Sequence, residues 1–197
     1  MKDFLLSLLE GVALKDVPPL FLSHFNTLLQ LNLLSHTSGT YSLEYPYVVG
    51  KLDVAMNGTG FLSPLGIDRA KDILIEASGL KGGMRGDLVI AKRIPNKRGS
   101  RAKAVVVHIV QRAFAKSIVY TKMARGKVVG AHIKNESILE MPASQKSLKQ
   151  LPLGTVLKID NITNAIEEVL GILDDPTVDE KICLALFDKA ESFSNKA

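Results

Sequence analysis

Apolar residues in the first 30 positions recur at helical spacing. The first set repeats every three or four residues: Phe4, Leu5, Leu8, Leu9 and Val12. The second set follows Pro18 and Pro19: Phe21, Phe25, Leu28 and Leu29. Ser38 and Gly39 then mark a turn between two short apolar runs, which is typical of a hairpin. Two amphipathic helices followed by a hairpin predict a small winged-helix-like domain over residues 1–47.

From Tyr47 onward the period changes from helical to alternating. Five short runs, bounded by glycine and polar residues, fall in residues 48–115: VVGKLDVAM, TGFLS, DILIEA, GDLVIAKR and AKAVVVHIVQR. Five more fall in residues 116–173: SIVYTKM, KVVGAHI, SILEM, TVLKIDNI and AIEEVLGIL. Five strands in so short a stretch favour a small closed barrel over a sandwich or a doubly wound sheet. The predicted fold is therefore mostly β, with an α-helical N-terminal part and two consecutive five-stranded OB barrels.

The C-terminal stretch predicts a helix. Thr177 and Glu180 have the spacing of a capping box directly after Pro176, so we expect the helix to begin there. Its apolar face would carry four residues: Val178, Ile182, Leu186 and Phe193. Cys183 would lie partly covered beside them, as an inert thiol rather than a nucleophile. Residues 174–197 are thus predicted to be a linker helix.

Composition limits the class of protein. Hydrophobic residues make up 46% of the 197 positions, enough to bury several small cores. Cys183 is the only cysteine, so no internal disulfide can form, and a reducing compartment such as the cytoplasm is expected. The run FLLSLL near the N-terminus is too short for a signal peptide, and no stretch reaches the roughly 18 apolar residues of a membrane span.

The net charge of +5 is unevenly distributed along the chain. Residues 1–47 carry −2, residues 48–115 carry +7, residues 116–165 carry +5 and residues 166–197 carry −5. A cationic middle of this size attracts polyanions, so nucleic acid is the leading partner class. Residues 19–30 contain no lysine or arginine, which favours a structural or RNA-guiding role for the first 47 residues over sequence-specific DNA reading.

The stretch MNGTGFLSP, residues 56–64, admits three interpretations: a phosphate-binding loop, a hairpin turn, or the glycine-aromatic strand of an RNA-binding barrel. A dinucleotide fingerprint needs a third glycine where Ser63 stands, and the G-K-[ST] of a Walker loop is missing. A type I′ turn at Asn57-Gly58 is compatible with a barrel. That turn would place Thr59, Phe61 and Ser63 on one face and point Leu62 inward.

Three motifs in this order resemble the first cold-shock domain of the ribonuclease R and ribonuclease II family. They are GTGFL at 58–62, DILI at 72–75 and MRGDLV at 84–89. The leading helical segment resembles the N-terminal extension of that family, and EEVLG at 167–171 through Pro176 looks like the close of a second cold-shock domain. The resemblance covers nearly the whole chain. It implies the RNA-binding N-terminal region of a 3′→5′ exoribonuclease, ending before the catalytic domain.

The sequence departs from this pattern at the stacking platform. The family places aromatic residues and a histidine where Thr59, Leu74 and Glu76 stand, which leaves Phe61 alone. Basic charge in the loop between the fourth and fifth strands is expected to compensate, because six of the twelve residues of KRIPNKRGSRAK are basic. The predicted RNA-binding residues are Lys51, Phe61, Lys71, Lys92, Arg93, Lys97, Arg98, Arg101 and Lys103.

No catalytic or metal-binding residue is predicted in this chain. The residues that most resemble the family's magnesium-binding aspartates are Asp174, Asp175 and Asp179. They surround a predicted helix start, however, where carboxylates are electrostatically favoured. Magnesium is expected only for the catalytic domain of the parent enzyme. The expected partners are single-stranded or structured RNA and, at the family level, an RNA helicase or another RNA-decay protein. The alternative is a stand-alone RNA chaperone, or an adaptor that binds RNA and a protein.

Overall fold

The computed structural model describes residues 1–67, 70–95, 100–134, 136, 138–139 and 141–187. These form two compact units, one within residues 1–113 and the other within residues 114–197. The domain limits predicted from the sequence, namely 1–47, 48–115, 116–173 and 174–197, stay predictions.

The first unit begins with the two predicted helices and the predicted hairpin. They are α1 (Lys2–Glu10), α2 (Leu22–Gln30), β1 (Ser35–Thr37) and β2 (Thr40–Ser42). Ser38 and Gly39 both have positive φ, as the tight turn of the hairpin requires. Val12 adds an isolated bridge to Tyr41 of β2. The winged-helix assignment of this segment stays a prediction.

Five strands of the first unit close into a barrel, as the alternating pattern predicts. They are β3 (Tyr47–Val54), β4 (Gly60–Pro64), β5 (Ile73–Ile75), β6 (Leu88–Ile94) and β7 (Lys103–Gln111). The order around the barrel is β3-β4-β5-β7-β6, and β6 pairs with β3 to close it. All pairings are antiparallel except the short contact between β5 and β7.

Alternation along these strands separates two hydrophobic cores. Inward residues such as Leu52 and Leu62 fill the barrel. Val49 and Ile90, on the outer face of β3 and β6, pack instead with Phe25 and other residues of the helical segment. Because successive side chains of a strand point to opposite faces, one strand serves both cores. The helical segment therefore packs on the outer surface of the barrel within one compact unit.

The second unit is built on five antiparallel strands. They are β8 (Lys116–Ala124), β9 (Lys127–His132), β10 (Ile138–Leu139), β11 (Thr155–Asp160) and β12 (Ala165–Ile172). Their order is β10-β9-β8-β11-β12, and no pairing between β10 and β12 closes the sheet within the described residues. Five strands at the predicted places are confirmed, whereas a closed second barrel is not observed in that part of the chain.

Two helices pack on this sheet: α3 (Gln145–Leu148) and α4 (Thr177–Leu186). Val178 and Ile182 of α4 pack against Ile118 and Val156, while Leu148 of α3 joins the core on the other side. Helix α3 was not predicted from the sequence. The Gln145 side chain bonds both the amide and the carbonyl of Val128, each at 2.8 Å, and so occupies the place of a strand partner.

The C-terminal helix begins directly after Pro176, as predicted, but its predicted capping and outer face need correction. Thr177 is the first residue of α4 rather than a capping residue, and the cap position makes no side-chain hydrogen bond. Asp175 accepts the Thr177 amide and hydroxyl at 2.9 and 2.8 Å instead. Cys183 is exposed, not partly covered, because it follows Ile182 and turns away from the sheet. Phe193 lies outside the described residues.

The turn at Asn57-Gly58 is not of type I′. That type requires positive φ at both central residues, but among residues 56–58 only Gly58, at 82°, has it. Gly58 donates its amide to the Ala55 carbonyl, and Asn57 accepts the Thr59 amide with its side chain. The turn is therefore a three-residue hairpin loop whose last residue is left-handed. The prediction that Leu62 points inward is confirmed, because Leu62 is fully buried.

Candidate nucleic-acid interface

Phe61 lies in a row of outward side chains that crosses four strands of the barrel. The register places Asp53 of β3 opposite Phe61 of β4, Phe61 opposite Leu74 of β5, and Leu74 opposite Lys103 of β7. Each residue alternates with a buried neighbour, so the row faces away from the barrel interior. This is the face on which the sequence predicts a depleted stacking platform, and Phe61 is the only aromatic residue in the row.

Two ion pairs flank Phe61. Arg85 Nε lies 2.9 Å from Asp53 Oδ1 on one side, and Lys103 Nζ lies 2.6 Å from Glu76 Oε1 on the other. The hydrogen bond and positive charge of Lys103 lower the pKa of the Glu76 carboxyl. Lys103, a predicted RNA contact, is therefore already paired with an anion. Arg85 was not among the predicted contacts, because nothing in the sequence links it to Asp53.

Arg101 covers the Phe61 ring. Its guanidinium carbon lies 5.0 Å from the ring centroid, within the distance for a cation–π contact, and its Nε lies 3.4 Å from the Asp72 carbonyl oxygen. A base that stacks on this side of Phe61 must displace the guanidinium or stack on it. The structure thus brings together Phe61, Arg101 and Lys103 of the predicted set.

The basic loop joins β6 to β7, the position that the sequence predicts. Lys92 is exposed and Arg93 is half-buried near the end of β6. Lys97 and Arg98 lie outside the described residues. Neither Lys92 nor Arg93 forms an ion pair with another residue that the structure describes, so both keep their charge available.

The two remaining predicted contacts are exposed and lie elsewhere on the barrel. Lys51 stands on β3, opposite Ser63 of β4 and Leu88 of β6. Lys71 lies between β4 and β5, directly before Asp72. Neither lysine is ion-paired within the described part of the chain. Counting Lys92 and Arg93, four predicted cations are unpaired there, but the structure does not gather them at one point.

The three C-terminal aspartates do not form a metal site. Within the described residues, no group of three histidine, cysteine, aspartate or glutamate side chains is placed to hold an ion. Asp175 is bonded to Thr177 at the start of α4, and these hydrogen bonds lower the pKa of its carboxyl. Asp174, Asp175 and Asp179 therefore do not fit the magnesium-binding cluster that the resemblance implies for the parent enzyme.

The four histidines lie on four different elements, namely α2, β1, β7 and β9. Burial lowers the pKa of both His108 and His132, and His24 adds a smaller repulsion at His108. His36 stacks on Tyr41 in the hairpin, with ring centroids 4.4 Å apart.

A closed five-stranded barrel with a basic loop between its last two strands places the chain among the OB-fold proteins. Two family models match: "Ribonuclease R, OB first domain, N-terminal" over residues 3–104, and "Ribonuclease R second OB domain" over residues 118–184. The chain belongs to the ribonuclease R family, and it corresponds to the N-terminal OB region of that family.

Two relatives are ribonuclease R of Helicobacter pylori strains J99 and 26695. Each is 30% identical over 196 residues, which is 98% of this chain and 30% of the relative. The chain therefore spans less than a third of the length of these relatives. The family resemblance stated from the motif order is confirmed by these matches.

Solved structures with a similar fold include Mycoplasma genitalium ribonuclease R in complex with ribose-methylated single-stranded RNA. That match has a TM-score of 0.46 and 19% identity, and it covers 75% of this chain and 25% of the other. Yeast Ssd1, described as a pseudonuclease, matches with a TM-score of 0.48 and 14% identity over 83% of this chain and 26% of that chain. No helix in the described residues is long and apolar enough to cross a membrane.

Proposed function

We propose that this chain captures single-stranded RNA through cations on its first barrel and basic loop. In a parent 3′→5′ exoribonuclease it would guide that RNA to the catalytic domain. That parent enzyme would hydrolyse RNA with the help of magnesium, and it would dock an RNA helicase or another RNA-decay protein. It would act in the cytoplasm, in keeping with the exposed thiol of Cys183. The chain's own residues would bind and orient RNA rather than cleave it.

The observation that carries this proposal is the set of unpaired cations on a closed OB barrel. Lys51, Lys71, Lys92 and Arg93 have no ion-pair partner among the described residues, and β6 leads directly into the basic loop. Phosphate contacts supply most of the affinity of a sequence-independent binder. Charge is therefore the expected source of RNA affinity.

Stacking is expected to contribute less at the outward row. Phe61 is its only aromatic residue, and Arg101 covers one side of the ring. A base gains about 1–3 kcal/mol from stacking on an open aromatic ring, and a covered ring gives up part of this. A variant that removes charge from the basic loop should therefore weaken RNA binding more than a variant that removes the Phe61 ring.

The test compares Lys97→Glu combined with Arg98→Glu against Phe61→Ala. Binding of the 197-residue chain to a fluorescein-labelled oligo(A) is measured by anisotropy at low salt. We expect the loop reversal to weaken binding about tenfold or more, because two cations become anions, and Phe61→Ala to weaken it only about threefold or less.

The matched control is Lys97→Gln with Arg98→Gln, which removes the same charges without adding anions and should fall between wild type and the reversal. A loss for Phe61→Ala larger than that for the loop reversal would contradict the proposal and make stacking the main force. Circular dichroism of each variant confirms that the fold is kept.

A further inference from the structure

Helix α1 lies on the outer face of the first barrel with a groove at each of its ends. Lys2, at the start of α1, lines one groove, and Leu9, in its last turn, lines the other. Leu65, just after β4, lines both. A nine-residue helix is about 13 Å long, so the two grooves follow each other along one short seam between helix and barrel.

The groove at the start of α1, here named the cationic groove, has a volume of about 410 Å³. Lys2, Lys51, Gln111 and Arg112 supply its polar lining. Arg112 is held by the buried carboxylate of Asp87 at 2.9 Å, so its charge is compensated. Lys2 and Lys51 are exposed and have no ion-pair partner within the described residues. The groove therefore presents two uncompensated positive charges.

The groove at the end of α1, here named the tyrosine groove, has a volume of about 420 Å³. Tyr45, Tyr47 and Arg93 line it together with the apolar side chains of Leu9, Leu65 and Ile67. Tyr45 is 81% exposed, and Ile67 is 57% exposed. An open aromatic side chain beside apolar walls and one guanidinium offers stacking for a planar ring and a contact for an anion.

The charges of the residues that line the two grooves indicate which kind of ligand can bind in the seam. No acidic side chain lines either groove among the described residues, while Lys2, Lys51 and Arg93 do. An apolar peptide would leave these cations without partners, whereas a nucleotide strand provides phosphates for them and a base for the tyrosines. Arg93 also stands two residues before the loop that begins at Pro95, so the tyrosine groove adjoins the basic loop in the chain.

We propose that the seam between α1 and the first barrel is a second RNA-binding site, separate from the row around Phe61. A base stacks on Tyr45 in the tyrosine groove, and neighbouring phosphates lie on Lys2, Lys51 and Arg93. This inference rests on the proposed function, since it assumes that single-stranded RNA is the ligand. It adds aromatic stacking where the outward row lacks it.

The test uses the full 197-residue chain and two 12-mers: oligo(A), and an abasic ribose–phosphate oligomer of the same length. Tyr45→Ala is expected to weaken oligo(A) binding about fivefold or more, the lower end of what stacking contributes, with an unchanged salt slope. It should leave binding of the abasic oligomer unaltered. Lys2→Gln removes a cation that only the seam inference uses, and it should make the salt slope shallower by about 0.7 for both oligomers.

Spectroscopy supplies an independent measurement, because the chain contains four tyrosines and no tryptophan. Stacking of a base on Tyr45 should quench part of the tyrosine emission during an oligo(A) titration. Tyr45→Phe should keep the affinity and lose that part of the quenching. Lys15→Gln, an exposed lysine that lines neither groove, is the matched control and should change neither affinity nor slope.

The outcomes separate the two proposals. If wild type binds oligo(A) with a clear salt slope while Tyr45→Ala or Lys2→Gln binds like wild type, the seam inference is overturned and the proposed function stands. If wild type binds neither oligomer, both are overturned. A loss with Tyr45→Ala that appears equally for the abasic oligomer also contradicts base stacking in the tyrosine groove.

Discussion

At the scale of single residues, the buried carboxylate of Asp87 fixes a connection between strands of the first barrel. Asp87 is fully buried and accepts hydrogen bonds from the Met84 and Ala113 amides and from Arg112 Nη1, each at 2.9 Å. Arg112 also donates to the Gly82 carbonyl at 2.7 Å. Asp87 thus ties the segment before β6 to the residues that follow β7, which gives a physical reason for the aspartate in the MRGDLV motif.

Replacing this carboxylate should cost far more than replacing an exposed one. Asp87→Ala leaves Arg112 and two amides without their partner, and breaking a buried pair in this way costs about 3–5 kcal/mol. Asp53→Ala removes an exposed ion pair with Arg85 and should cost less than about 1 kcal/mol. Urea unfolding of both variants measures the difference. Equal losses would contradict this role for Asp87.

Because His132 is partly buried, we expect the free energy of unfolding to depend on pH above the range in which carboxylates titrate. Burial holds its pKa in the folded protein below the ordinary value of 6.5, so the unfolded chain binds the proton more readily. The stabilisation is fully present above that value and is lost as the pH falls through the lower folded-state pKa. His132→Gln should therefore reduce the drop in unfolding free energy between about pH 7.5 and 5.5. An unchanged drop would contradict it.

At the scale of elements, local sequence patterns predicted most helices and strands at their observed places. The alternation of apolar and polar residues was enough to predict the strands, because each strand has one buried face, as Leu52 and Leu62 show in the barrel. The short helix α3 was missed because four residues show no helical period, and its position depends on the distant Val128 backbone. The capping prediction failed because Asp175, two residues before Thr177, takes the bonds instead.

The turn between β3 and β4 tests the role of a single glycine in an element. Gly58 has φ of 82°, a conformation that costs an L-residue about 1–2 kcal/mol. Gly58→Ala should destabilise the chain by about that amount in thermal or urea unfolding, and Gly58→Asn by less, since asparagine tolerates this region better. If both variants cost the same, the left-handed conformation is not what selects glycine here.

At the scale of the whole molecule, the net charge of each segment could be predicted from the sequence, but the partners of the individual charged side chains could not. The basic middle of the chain follows from counting residues. That Lys103 is paired with Glu76, and that Arg101 covers Phe61, depends on contacts between residues 27 and 40 positions apart. Neither the tyrosine groove nor the cationic groove could be predicted, because both form only when α1 packs on the barrel.

The most direct test of the central claim is the salt dependence of RNA binding by the intact 197-residue chain. The affinity for labelled oligo(A) is measured between about 50 and 400 mM KCl and plotted as log K against log salt. If lysines and arginines neutralise about three to five phosphates, the slope should lie between about −2 and −3.5. Binding that is insensitive to salt would contradict capture of RNA by charge.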